Sequence, residues 1–125
     1  MVSGTQSSQK SDIRRQLDEL GITPELYKDI LLGYEYDEKD MGVDHFNRMK
    51  EHKLGLMQEY NITIFFDDNP FYVEYLKDFG ITVFQTILST AYLDKWSAKD
   101  PLFTCNLQRK QFGYLNDLDP ENPLG

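Results

Sequence analysis

Ile62-Thr63-Ile64-Phe65-Phe66-Asp67-Asp68-Asn69-Pro70 is an apolar run that stops at two adjacent carboxylates and a turn. β-Branched and aromatic residues bounded by turn residues read as a strand, and the near-continuous apolar character predicts burial on both faces, as in a parallel sheet. Open parallel sheets bind ligands just beyond the carboxyl ends of their strands, the place taken by Asp67 and Asp68. Adjacent acids repel, so such a tip calls for a cation or a cationic side chain. The plainer alternative is a turn whose acids cap the helix that Pro70 opens.

Downstream, Val73, Leu76 and Phe79 recur at helical spacing over residues 71–79, Gly80 closes the helix, and Ile81-Thr82-Val83-Phe84-Gln85 reads as a second short strand. Upstream, Phe46, Met49, Leu54 and Met57 mark a helix over residues 44–60, preceded by a charged, tyrosine-bearing loop from residue 33 to 42. Thr23-Pro24-Glu25 has the form of an N-cap, a first-turn proline and a first-turn acid, which predicts a helix with Leu26, Ile30 and Leu31 facing inward. Ser11 or Asp12 would cap an earlier helix that buries Ile13, Leu17 and Leu20 and ends at Gly21. Met1-Val2-Ser3-Gly4-Thr5 reads as the end of a strand running into a loop. The alternation of helix and strand predicts an α/β fold with a parallel sheet flanked by helices.

After Ser89 the character changes. Residues 91–96 suggest a short helix, Asp100-Pro101 breaks it, and the remainder reads as a loosely ordered tail. The expected organisation is a domain over residues 1–90 and a partly irregular extension over 91–125. Tyr92, Leu93 and Trp96 would form a small patch that docks on the domain or on a partner.

With 125 residues, 40% hydrophobic and 14% aromatic, the chain suits one globular domain with a real core. A formal net charge of −8 disfavours nucleic acid or anionic membrane as a partner of this chain, although a metal could still bridge acid to a small phosphorylated ligand. The single cysteine, Cys105, excludes an intrachain disulfide and a Cys-rich zinc site and reads as a small semi-apolar residue. His45 and His52 lie seven positions apart, whereas a helical zinc pair is about four apart, so they read as surface or satisfied histidines. Tyr27, Tyr34, Tyr36, Tyr72 and Tyr75 read as partial core. No stretch approaches the ~18 apolar residues of a membrane span and the N-terminus is not a signal peptide, so a cytoplasmic location is the default expectation.

The order Val2-Ser3-Gly4-Thr5, a helix bearing Lys53, then Phe65-Phe66-Asp67-Asp68-Asn69-Pro70, then Gly80-Ile81-Thr82-Val83-Phe84-Gln85 resembles the C-terminal part of the haloacid dehalogenase (HAD)-like hydrolase superfamily. It looks most like the small phosphatases, including those of nucleotide and polynucleotide-end metabolism, and the likeness covers residues 1–88. The resemblance implies a Rossmann-like HAD-type sheet and hydrolysis of a phosphomonoester. It implies that Ser3 and Gly4 bind the transferring phosphoryl group and that Lys53, with Lys50 one turn earlier as the alternative, offsets charge on nucleophile and phosphate. It further implies that Asp67 holds Mg2+ directly or through water, with Asp68 in support. A hydroxyl, a cation and oxygen ligands at strand ends suit phosphoryl transfer, which is mainly positioning and charge stabilisation.

One departure matters. The family's first motif is a strand ending in Asp-x-Asp, with the nucleophile first and the general acid/base second, and it would precede Ser3. The Asp-x-Asp of this sequence is Asp117-Leu118-Asp119, which lacks an adjoining apolar strand and is followed by Pro120. The resemblance therefore implies a sheet without its first, central strand and a chain inactive alone. The free sheet edge would serve self-association or a complementing chain. The alternative to an enzyme portion is a non-catalytic, HAD-derived interaction module or a subunit of a split enzyme.

Overall fold

The longest helical stripe of the sequence gives the longest helix. In the computed structural model, which describes residues 1–96 and 98–113, this helix buries Phe46, Met49, Leu54 and Met57 together with His45 and Lys53. The chain is a mixed α/β protein with short parallel strands and falls into two compact units, Met1–Asn61 and Ile62–Gly125.

In the first unit, β1 (Val2–Gln6) leads through a 3-10 turn into α1 (Lys10–Glu19), then β2 (Leu31–Gly33) and α2 (Val43–Glu59). β1 and β2 pair in parallel, Val2 opposite Leu31 and Gln6 opposite Gly33, with an irregularity in between. α2 packs on both strands, and Ile30 and Leu32 complete the core.

Two expectations fail here. The helix predicted from Thr23-Pro24-Glu25 stops after one 3-10 turn, Pro24–Leu26, and the apolar residues that follow enter β2 instead. Leu31 and Leu32, with Ile30 just before them, gain more from a strand beside β1 than from a helical stripe, because pairing satisfies the main chain and α2 packs on the strand. α1 forms where predicted and ends at Gly21, which adopts φ +78°, but it buries no residue and Leu20 is 75% exposed. Neither Ser11 nor Asp12 caps it. The Glu35 carboxylate serves the entry instead, accepting from Ser7 Oγ at 2.8 Å, Ser8 Oγ at 3.0 Å and the Ser8 amide.

In the second unit, β3 (Ile64–Asp67), α3 (Pro70–Leu76) and β4 (Thr82–Gln85) form a parallel β-α-β unit, followed by α4 (Thr90–Lys95) and α5 (Thr104–Gln111). The register is unbroken from Ile64 opposite Thr82 to Asp67 opposite Gln85. Asn69 is the N-cap of α3, accepting from the Phe71 amide at 2.9 Å, and Gly80 closes the following 3-10 turn at φ +75°. Both fit the expected helix after the tip, with the cap on Asn69 rather than on either acid.

The expectation that β3 is buried on both faces is corrected. Phe65 and Asp67 are buried, whereas Ile64 and Phe66 are 59% and 65% exposed. α3 packs against both strands, and the opposite face carries Phe66 stacked on Phe84 with ring centroids 5.1 Å apart. One layer of helices buries one face of a strand pair, and alternate side chains of a strand point to opposite faces. α5 packs on α3 and α4 and buries Cys105 and Gln108. Asp117 and Asp119 lie outside the described residues.

Two outcomes follow. A Cβ at Gly33 would stand 2.7 Å from the Gly4 carbonyl oxygen and 2.8 Å from Met49 Cε, so Gly33→Ala is expected to destabilise the first unit by about 1–3 kcal/mol, measured by urea titration of the amide signals of residues 1–61. The hydrogen bonds from Ser7 and Ser8 hold the Glu35 carboxyl below its ordinary value. Its contribution is therefore complete above the ordinary glutamate range and is lost as pH falls through the depressed value. Glu35→Gln is expected to flatten this acid-side loss, read from Ser8 amide exchange between neutral and acidic pH.

Candidate functional site

Ser3 and Gly4 sit within β1, so Ser3 is an ordered strand residue. Its Oγ lies 3.0 Å from Thr5 Oγ1 and accepts from the Thr5 amide at 3.2 Å. Side chains two apart on a strand share a face, so the two hydroxyls form one polar pair. The Gly4 carbonyl accepts from Tyr36 Oη at 3.4 Å.

Lys53 is 5% exposed on α2, which rules out an ordinary solvated helix lysine. A Cβ placed on Gly4 would lie 3.7 Å from Lys53 Cε. The stem of Lys53 therefore runs over the glycine that follows Ser3, and α2 brings the ammonium-bearing chain onto β1. Lys50 is half-buried on the same helix. The first unit thus gathers three of the five predicted site residues, Ser3, Gly4 and Lys53.

An open cleft of about 670 Å3, lined by Gln6, Glu35, Tyr36 and Asp37, lies at the carboxyl ends of β1 and β2. That is where an open α/β sheet takes ligands. Its two carboxylates make it a poor site for a bare phosphate, and a cation would reverse that.

Asp67 and Asp68 belong to the second unit, at the carboxyl end of β3. Asp67 is 7% exposed, and its Oδ1 accepts from the Asn69 amide at 2.9 Å. The carboxylate thus closes a side-chain turn over the tip. Asp68 is exposed, and its main-chain carbonyl accepts from Gln108 Nε2. Asn69 Nδ2 donates to the Leu102 carbonyl at 3.0 Å.

Among the described residues no group of three or more His, Cys, Asp and Glu could hold a metal. The tip offers two carboxylates. Mg2+ keeps several waters and takes one or two carboxylates plus phosphate oxygens, so this donor set suits a hydrated ion and not a dedicated protein cage.

The other sequence candidates resolve structurally. Tyr34 Oη donates to the His45 carbonyl at 3.0 Å and lies 3.2 Å from His45 Nδ1. His52 Nε2 lies 3.0 Å from the Leu32 carbonyl, which fixes the proton on that nitrogen. Both imidazoles meet the Tyr34 ring edge-on, at 5.8 and 5.7 Å, so they are satisfied histidines. Cys105 is buried, and burial pushes its thiol above the ordinary value, away from the reactive thiolate. Tyr72 is core, while Tyr92 and Trp96 are half-exposed around the buried Leu93. Among the described residues no helix is long and apolar enough to cross a membrane.

Sequence reasoning missed Asn69, Gln108 and Tyr36, which act through main-chain groups and carry no spacing signature. The one available signal was the Asn-Pro after the acids, a common helix entry. Compared with known proteins, the chain matches no family model, no curated protein and no solved structure.

Proposed function

We propose that the chain is the C-terminal portion of a HAD-like, Mg2+-dependent phosphatase that hydrolyses a phosphomonoester and is inactive without an Asp-x-Asp strand from outside these 125 residues. The observation that carries this reading is the burial of Lys53 over Gly4, the residue that follows Ser3 in β1. A lysine ammonium is costly to bury, and a buried lysine laid over the main chain of a strand that also carries a hydroxyl is a candidate for work on an anionic phosphoryl group. Asp67 and Asp68 at the end of a parallel strand support it further, as does the pairing of β1 with β2 and of β3 with β4. Among the described residues each site-bearing strand has one partner and one open edge.

In this reading Ser3 donates to the phosphoryl oxygens and fixes their orientation, while Lys53 offsets the charge that grows as the first aspartate of the supplied Asp-x-Asp attacks phosphorus and the ester oxygen departs as an alcohol, protonated by the second aspartate. Asp67 and Asp68, on the second unit, are the residues that would hold Mg2+, which when bound supplies charge neutralisation. Water then cleaves the aspartyl-phosphate. The substrate class is a small phosphorylated molecule.

A second reading, a non-catalytic interaction module, is favoured by the exposed Ile64 and the stacked Phe66–Phe84 pair, an apolar sheet face of the kind that marks partner surfaces.

The chain alone, assayed with Mg2+ and an aryl phosphate, is expected to show no turnover. Mg2+ titration should detect binding that Asp67→Ala weakens by more than about tenfold, since outer-shell partners alone carry that much. Turnover that is lost in Asp67→Ala but survives in Asp117→Ala and Asp119→Ala would sink the account of a missing nucleophile. Absence of carboxylate-dependent Mg2+ binding, with concentration-dependent self-association in sedimentation, would favour the interaction module.

A further inference from the structure

Gln108 is fully buried, at 0% exposure, on a helix that carries no recognised motif. Its Nε2 donates to the carbonyls of Asp68 and Thr86, the latter at 2.9 Å, and its Oε1 accepts from the Leu88 amide at 2.9 Å. The partners leave one orientation for the amide, because two carbonyls require the NH2 and one N–H requires the oxygen. One side chain of α5 therefore ties the loop after β3 to the loop after β4.

The bond to Asp68 has a particular geometry. The Asp68 carbonyl and the Asn69 amide belong to one peptide group, which is planar and holds C=O and N–H in opposite directions. Gln108 grips the carbonyl side of that plane, and the Asp67 carboxylate accepts from its N–H side. The chain of contacts runs from Gln108 through one rigid peptide to Asp67. Hydrogen bonds in such a series polarise one another.

We infer that Gln108 is a positioning residue that sets the Asp67 carboxylate by fixing the peptide between Asp68 and Asn69. Its consequence for metal rests on the phosphatase reading above, whereas its consequence for the tip does not. Asn106 provides an internal comparison. It lies on the same helix and likewise donates to two carbonyls, those of Ala98 and Asp100, both at 2.7 Å, but none of its hydrogen bonds goes to the loop after β3 or the loop after β4. Losing either clamp weakens α5, but only Gln108 grips the Asp68–Asn69 peptide directly, whereas Asn106 reaches the Asn69 side chain at second hand through Asp100 and Leu102.

The test uses the full chain, isotopically labelled, with Gln108→Leu, Gln108→Met and Asn106→Leu. Gln108→Met keeps the length and unbranched shape of the side chain while removing both donors, which covers the case in which the leucine variant fails to fold. Exchange of the Asn69 amide is expected to rise about tenfold in either Gln108 variant, the scale of one lost hydrogen bond, and to stay near wild type in Asn106→Leu. Mg2+ affinity should fall by about tenfold or more in the Gln108 variants alone, as for other outer-shell partners. An Asn69 amide that is unmoved, or moved equally by Asn106→Leu, overturns the positioning role. If Mg2+ binding is absent or insensitive to Asp67→Asn, the phosphatase reading falls, and the Asn69 exchange still decides the role of Gln108.

Discussion

A two-stranded parallel ladder cannot stand by itself in water, since three or more strands or a packed helix are needed to bury enough apolar surface. Both units of this chain live under that constraint. In the first, α2 supplies the missing layer, and Met49 comes so close to Gly33 that no side chain fits there. In the second, α3 lies against β3 and β4, and α5 closes over α3 and α4. Two parts of the candidate site are fixed by these helices: Lys53 by α2, and the acidic tip by Gln108 of α5.

The same constraint separates what the sequence made legible from what it did not. β3, β4, α2 and α3 were readable because their apolar spacing and their glycine and proline boundaries agree. Gly21 and Gly80 take the positive φ that helix ends favour. The segment after Pro24 was not readable, because its local signature is that of a helix while Ile30-Leu31-Leu32 is a short apolar run that either element could use. Burial on one face of β3 was hidden for a similar reason. Ile64 and Phe66 are as apolar as Phe65, and only the number of helical layers decides which face is covered. α5 has little apolar period, and a glutamine is at its centre.

The candidate site divides along the same line. Residue types at a strand end pointed to Asp67 and Asp68, which lie at the carboxyl end of β3, whereas Ser3 came only with the resemblance and lies inside β1, not at its end. The depth of Lys53 and the hold of Gln108 on Asp68 could not be read, since one depends on how α2 rolls over β1 and the other on a main-chain carbonyl. Polar groups that work through the backbone leave no pattern in side-chain chemistry.

The buried Lys53 sets stability against use. A hydrophobic residue of similar length at that position would avoid the desolvation of an ammonium, but it would also strand the group that the lysine meets, and removing one member of a buried interaction is destabilising. Among the described residues of the first unit, Lys53 and His45 are the two polar side chains that the fold buries, and Lys53 is the one that carries a full charge at neutral pH.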